Sequence, residues 1–156
     1  PYDKNGNLAK NGKVHHQALK KMLSHPFFKK RHPKSTGKEV FNIKFIPKEL
    51  LKKSPNDILA TLSELTAISI AKSLHAQNKL PEQIIICGGG IKNGFLINSI
   101  KRLTKIDLVS SSEFGLDPQA IEAMAFGWMA SQRIYKNLLC VKDKKGLLGR
   151  ITRSIQ

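Results

Sequence analysis

Cysteine, acid and long hydrophobic runs are what this sequence has little of, and each shortage excludes something. Only Cys87 and Cys140 occur in 156 residues, too few for the disulfide framework of a small secreted scaffold. No secretory apolar region follows Pro1, so the chain is expected to be reduced and cytoplasmic. No apolar run approaches the ~20 residues a membrane-spanning helix needs. With 40% hydrophobic and 24% charged residues the composition is that of a globular chain rather than a disordered one. The length fits one domain over residues 1–156 and argues against a multi-domain machine. The first residue is Pro1 rather than Met, which predicts a piece of something longer. No repeat of 20–50 residues is visible, which removes solenoids and propellers.

Acid is the scarcest ingredient relative to its opposite. Eleven Asp and Glu face 27 Lys and Arg, a formal charge of +16. Such a balance invites a nucleic-acid reading, but its distribution argues against one. Residues 1–53 carry 14 basic against 3 acidic side chains, residues 54–137 carry 8 against 7, and residues 138–156 carry 5 against 1. The nearly neutral middle has the strongest helix and strand patterning and reads as the core-forming part, flanked by basic segments.

Local signals divide the chain into elements. Asn5-Gly6 and Asn11-Gly12 predict turns over residues 1–12, because Asn and Gly tolerate positive φ. A short helix is expected around Val14–Ser24, ended by His25-Pro26, then a basic loop from Lys29 to Lys38. An apolar stretch at Phe41–Phe45 and a short helix near Lys48–Lys52 follow. Ser54-Pro55-Asn56-Asp57 is a helix start: a hydroxyl to accept the first free N–H, proline where no donor is needed, and an acid in the first turn. From it Ile58, Leu59, Leu62, Leu65 and Ile68 keep helical spacing to about Gln77, giving a long helix with a wide buried face. The β-branched run Gln83–Cys87 predicts a buried strand, Asn93–Leu103 a helix, and Leu108–Ser110 a second strand. Asp117-Pro118 repeats the cap-plus-proline signal for a helix to about Asn137. This helix–strand alternation predicts an α/β layer, a sheet flanked by helices at about 56–77, 93–103 and 118–137, with a right-handed parallel crossover. After Leu138 the pattern degrades.

Chemistry concentrates at Cys87-Gly88-Gly89-Gly90-Ile91-Lys92-Asn93. A strand that ends in glycines and turns into a helix lets backbone approach a ligand with no Cβ in the way, and aims free N–H groups at it. Nucleotides bind such places; a tight connection also uses such glycines for geometry alone. The dinucleotide fingerprint fails, because Asn93 stands where its third glycine belongs and Asp107 begins a strand rather than ending one. A P-loop is excluded, since no Gly-Lys-Ser/Thr stands in frame.

Four blocks carry a resemblance. Pro33 to Asn42, Asp57 through Ala60 to Ala67, Cys87 to Asn93, and Gly115-Leu116-Asp117 with Glu122 to Trp128 resemble, in order and spacing, the carboxyl-terminal half of anhydro-N-acetylmuramic acid kinases, over about residues 1–130. The opening Pro1 to Gly6 with Gly12-Lys13-Val14 is similar to the segment just past that family's catalytic motif. The resemblance implies an actin-like (ribonuclease H-like) ATPase domain, the carboxyl-terminal lobe of a two-domain sugar kinase. It implies ATP and Mg2+ in the complete enzyme, and an anhydro-amino-sugar substrate whose 1,6-anhydro ring is opened by water with phosphorylation at O6, in peptidoglycan recycling. Gly88, Gly89, Gly90 and Asn93 would sit at the adenosine, and Glu122 would match an acid near the sugar. For Glu122 the helix dipole offers a second explanation.

The departures carry equal weight. The family's general base, an Asp in a glycine-rich phosphate-binding motif, lies immediately before the point where this chain starts, and nothing like it is present. Phosphoryl transfer needs base, metal and positioning together, so no catalytic residue is expected in this chain and no turnover alone. Either a homodimer or a pairing with the absent amino-terminal lobe is expected. The tail Asn137–Asp143 keeps only the family's outline. A basic nucleic-acid-binding protein is the alternative function.

The other conspicuous residues have plainer readings. His15, His16, His25 and His32 lack metal-site spacing and are expected as solvated side chains, with no metal ligands. Cys87 is expected to pack as a small apolar residue. Ser35 or Thr36 is expected to bond its own backbone in a turn. Ala123, Ala125, Phe126 and Trp128 to Ala130 read as core or interface. Lys20, Lys21, Phe27 to Arg31 and Lys34 mix charge with aromatics, as nucleic-acid surfaces do, though no binding motif accompanies them.

Overall fold

A computed structural model describes residues 2–31 and 34–136, together with the backbone of 139–141 and 144–146. His32, Pro33, Asn137, Leu138 and the side chain of Cys140 lie outside the described residues. Seven α-helices are described: α1 (Asn7–Lys10), α2 (His16–Leu23), α3 (Pro26–Lys29), α4 (Lys48–Leu51), α5 (Pro55–His75), α6 (Gly94–Thr104) and α7 (Ile121–Ile134). Strands β1 (Gln83–Ile86) and β2 (Asp107–Ser110) pair in parallel, with Ile84 opposite Leu108 and Ile86 opposite Ser110. Strands β3 (Leu139–Val141) and β4 (Lys144–Gly146) form an antiparallel pair, where the sequence offered no assignment. Mixed helices with a parallel strand pair joined through α6 make the chain α/β.

The long helix α5 organises the rest because it is buried on two sides. One side meets Ala18, Leu19, Met22 and Leu50, with Leu65 supplied by α5 itself. The other meets Ile100 of α6 and Leu108 of β2 through Ala67, with Ile84 and Ile86 packed alongside. Leu50 and Ala60 are fully buried and Met22 nearly so, and Leu50 and Met22 each contribute roughly 1.5–3 kcal/mol by leaving water. The start of α5 is built as its sequence predicts: Ser54 Oγ accepts from the Asp57 N–H, and Pro55 takes the first helical position. Asp57 adds a tie across the fold, accepting from the Lys13 N–H at 2.7 Å. Gly12 lies so close to the Asn56 carbonyl that a Cβ there would collide with backbone. That contact locks residues 11–13 onto the helix start.

Several expectations are corrected. Within residues 1–12 the turns expected at Asn5-Gly6 and Asn11-Gly12 are present, but residues 7–10 between them are helical: Asp3 accepts from the N–H groups of Leu8 and Ala9 and nucleates α1. Asn5 and Gly6, at φ 60 and 73, make the turn into it. The apolar stretch Phe41–Phe45 ends in a 3-10 turn at Ile43–Phe45. Phe27 packs edge-to-face on Phe28 and on Phe41, and Phe41 on Phe45, at centroid distances of 4.8–5.5 Å, a geometry set by the ring quadrupole, while Phe28 lies tilted against Phe41 at 5.7 Å. His15 and His25 are not solvated; each Nδ1 accepts from a backbone N–H, of Ala18 and Phe27, to cap α2 and α3. Neither Ser35 nor Thr36 makes a hydrogen bond among the described residues, and the turn there closes on the Gly37 carbonyl, which accepts from Val40 and Phe41. Helix α7 begins at Ile121, after a turn at Pro118–Ala120. Its face is not core: Met124, Phe126 and Trp128 are 49%, 62% and 55% exposed. Cys87 is also exposed.

Candidate functional site

The glycine turn sits at the carboxyl end of β1, where a parallel sheet leaves a crevice for ligands. Gly88 has φ +77 and ψ −178, a conformation nearly restricted to glycine that costs a Cβ-bearing residue about 1–3 kcal/mol. Gly89 to Lys92 then form a single turn of 3-10 helix before Asn93 caps α6, its Oδ1 accepting from the Leu96 N–H at 3.0 Å. A Cβ added to Gly88 or Gly89 would meet nothing within 4 Å. At these two positions the turn therefore presents bare backbone to open space among the described residues.

The loop before α7 closes against that wall. Ser110 and Glu113 form a capping box around a 3-10 turn, Ser111–Phe114, and Gly115 at φ 74 reverses the chain. The buried Ser111 clasps the loop, its Oγ donating to the Leu116 carbonyl while its own carbonyl accepts from the Leu116 N–H. Asp117 Oδ1 accepts from the Gln119 N–H. This leaves the Pro118 carbonyl pointing at the glycine turn, where it accepts from the Gly88 N–H at 2.7 Å. Glu122, exposed in the first turn of α7, stands within one helical turn of that junction in the chain. Sequence reasoning read Asp117-Pro118 as a helix start and missed its use as a brace; the nearby Gly115-Leu116, which forces the reversal, was the available signal.

The opening segment arrives at the same end of the molecule. A Cβ on Gly6 would collide with the Asn93 carboxamide, and Gly94 lies beside the Asn5 carbonyl. Asn93 thus both caps α6 and seats the first residues of the chain. Of the predicted site residues, Gly88, Gly89 and Gly90 share one turn, Asn93 follows it as a capping residue, and Glu122 lies on the element braced to it through Pro118. The surface hollows at Phe45–Glu49, at Phe27–Lys34 and at Asn98–Arg102 are lined by none of them. Among the described residues no three His, Cys, Asp or Glu converge as a cation would require, and no helix is long and apolar enough to cross a membrane.

Comparison with known proteins adds an independent observation. A family model described as anhydro-N-acetylmuramic acid kinase matches residues 1–145. The chain belongs to that family. It is 48% identical over 158 residues to the anhydro-N-acetylmuramic acid kinase of Gamma-proteobacterium EBAC31A08, an alignment covering 99% of this chain and 43% of the relative. It is 44% identical over 133 residues to that of Pseudomonas syringae pv. tomato, covering 83% of this chain and 36% of the relative. The kinase of Sulfurimonas denitrificans is 39% identical over 159 residues, covering 95% and 43%. The chain therefore spans less than half the length of the anhydro-N-acetylmuramic acid kinases it matches. The family match reaches past residue 130 into the tail, further than the four sequence blocks.

Proposed function

We propose that this chain is the carboxyl-terminal part of an anhydro-N-acetylmuramic acid kinase, a single lobe of actin-like fold that acts in the cytoplasm only with a complementary amino-terminal lobe. One observation carries the reading: the open glycine wall, the braced start of α7 and the opening segment of the chain lie at one end of the fold. In the family, the motif bearing the general base immediately precedes the part that this opening segment resembles, so a complementary lobe would deliver that base beside the glycine wall.

In this reading Gly88, Gly89 and Gly90 form the adenosine-side wall of the cleft, where their lack of side chains gives room for ATP, and Asn93 holds the wall to α6. Glu122 faces the anhydro-amino-sugar side. The residues are compatible with a nucleotide in that the backbone at Gly88 and Gly89 is open to approach, with nothing within 4 Å of where a Cβ would stand. ATP with Mg2+, when bound, supplies the phosphoryl group that ends on O6 of the sugar. This chain's part is to position, to offer backbone donors and to exclude water on one side; activation of the attacking water belongs to the amino-terminal lobe. A pairing with that lobe, rather than a homodimer, completes the cleft.

The test is complementation. The chain, mixed with the separately purified amino-terminal lobe of a relative, is expected to phosphorylate 1,6-anhydro-N-acetylmuramic acid with ATP, and neither part is expected to do so alone. Turnover by this chain alone, or none in a mixture shown by sedimentation to associate, overturns the proposal.

A further inference from the structure

Five cations converge on one hollow, and none has an ionic partner among the described residues. The hollow, of about 740 Å3, lies between the end of α3 and the last turns of α5, and Lys29, Lys30, Arg31, Lys34 and Lys72 supply its charge, with no acid among the described residues of its lining. The ion pairs among the described residues are elsewhere, Lys21 with Glu49 and Arg102 with Glu64. Each acid of the basic first 53 residues is committed away from it: Asp3 caps α1, Glu49 meets Lys21, and Glu39 lies against Gly37.

Ordinary surface decoration does not account for this placement. The end of a helix favours cations, which explains Lys72 in the last turn of α5 but not the four contributed by a segment distant in sequence. Like charges gathered in a concavity repel, and its walls focus the resulting field. Lys34 is moreover held in place, its Nζ donating to the Phe27 carbonyl at 3.3 Å and lying 4.8 Å over the Phe27 ring. The half-buried Ser73 lines the hollow, and its hydroxyl makes no hydrogen bond among the described residues.

We propose that this hollow binds an oligophosphate, a ligand carrying two or more consecutive phosphate groups. Arg31 presents a fork suited to two phosphate oxygens, and the lysines serve as point charges. A single phosphate engages one or two exposed cations, a contact that physiological salt largely screens. A run of phosphates engages several at once and keeps its hold. The site is separate from the glycine wall and does not rest on the kinase reading.

Tripolyphosphate and orthophosphate, titrated separately into the full chain at about 150 mM salt with amide shifts followed by NMR, test the proposal. Tripolyphosphate is expected to shift residues 29–31, 34 and 69–77 saturably and to bind on the order of tenfold more tightly than orthophosphate. The double variant Lys30→Gln/Arg31→Gln is expected to weaken tripolyphosphate on the order of tenfold, while Lys101→Gln on the exposed face of α6 leaves it unchanged. Circular dichroism of each variant separates lost binding from lost folding, and Lys72→Gln alone serves if the double variant does not fold. Shifts spread evenly over all surface lysines, insensitivity to the double variant, or tight binding of single-stranded RNA with no saturable tripolyphosphate site, each overturns it.

Discussion

Gly88 and Gly89 are neighbours with opposite requirements, and substituting each in turn separates backbone geometry from ligand access. Gly88 is at φ +77 and ψ −178 with open space around it, so Gly88→Ala has no clash but forces a Cβ into a backbone region nearly restricted to glycine, at about 1–3 kcal/mol. For a chain of this length that corresponds to a fall in Tm of about 2–12 °C. Gly89 is among neither the positive-φ glycines nor those with a close contact. Gly89→Val is therefore expected to hold stability within about 0.5 kcal/mol, a Tm change of no more than about 2 °C. Its branched side chain would nonetheless occupy the space in front of the wall. Binding by half a cleft is weak, with a Kd of about 1 mM corresponding to about −4 kcal/mol. The assay is an ADP titration to about 10 mM followed by amide shifts, beside thermal melts of all three proteins. The unsubstituted chain should shift at 87–94 and at the start of α7, and Gly89→Val should abolish those shifts while melting normally. A Gly89→Val protein that still shows them, or a Gly88→Ala protein as stable as the parent, refutes the reasoning about what these glycines are for.

Other perturbations read the fold around the site. Leu50→Ala, at a fully buried position, is expected to cost about 2–5 kcal/mol, seen as a lower urea midpoint with little change in slope. Thr61→Val removes the buried hydroxyl that accepts from the His15 N–H at 2.9 Å and should cost about 1–3 kcal/mol, against a smaller loss for Thr61→Ser, which keeps the acceptor. Arg102→Met strands the carboxylate of Glu64, which is 8% exposed; a loss of about 1–3 kcal/mol is expected, largely recovered by adding Glu64→Gln. The Lys13 N–H, then the Ser54 hydroxyl, hold the Asp57 carboxyl below its usual range. Because the folded value is the lower one, Asp57 stabilises the fold above the ordinary carboxylate range and stops doing so as pH falls through its depressed value. Asp57→Asn should thus be less stable than the parent at neutral pH, and the gap in Tm should close as pH falls below about 4.

Much of the middle of the chain was legible because its signals are local. Ser54-Pro55 starts α5 as written, since a cap and a proline act within one turn. The β-branched Gln83–Cys87 run with its glycines gave the strand and turn, though the strand is not buried as expected, Ile85 being 56% exposed, and Asn93 stands where the helix after them begins. These features depend on neighbours in sequence, so the sequence by itself determined them, together with the α/β order and the family.

What only the tertiary structure decided depends on groups distant in the chain. Asp117-Pro118 carries a helix-start pattern, yet α7 begins at Ile121 because the Pro118 carbonyl is drawn to the Gly88 N–H. His15 and His25 look like solvated polar residues, and become caps because α2 and α3 need acceptors where neither Ser nor Asp is available. The apolar residues of α7 read as core or interface by composition, and Met124, Phe126 and Trp128 are exposed rather than core, since burial is set by what packs opposite and not by the side chain alone. The basic residues at 29–34 look like scattered charge until α5 brings Lys72 beside them. Convergence of this kind is a property of the folded chain, because the field of a hollow depends on distances in space that no spacing along the sequence encodes.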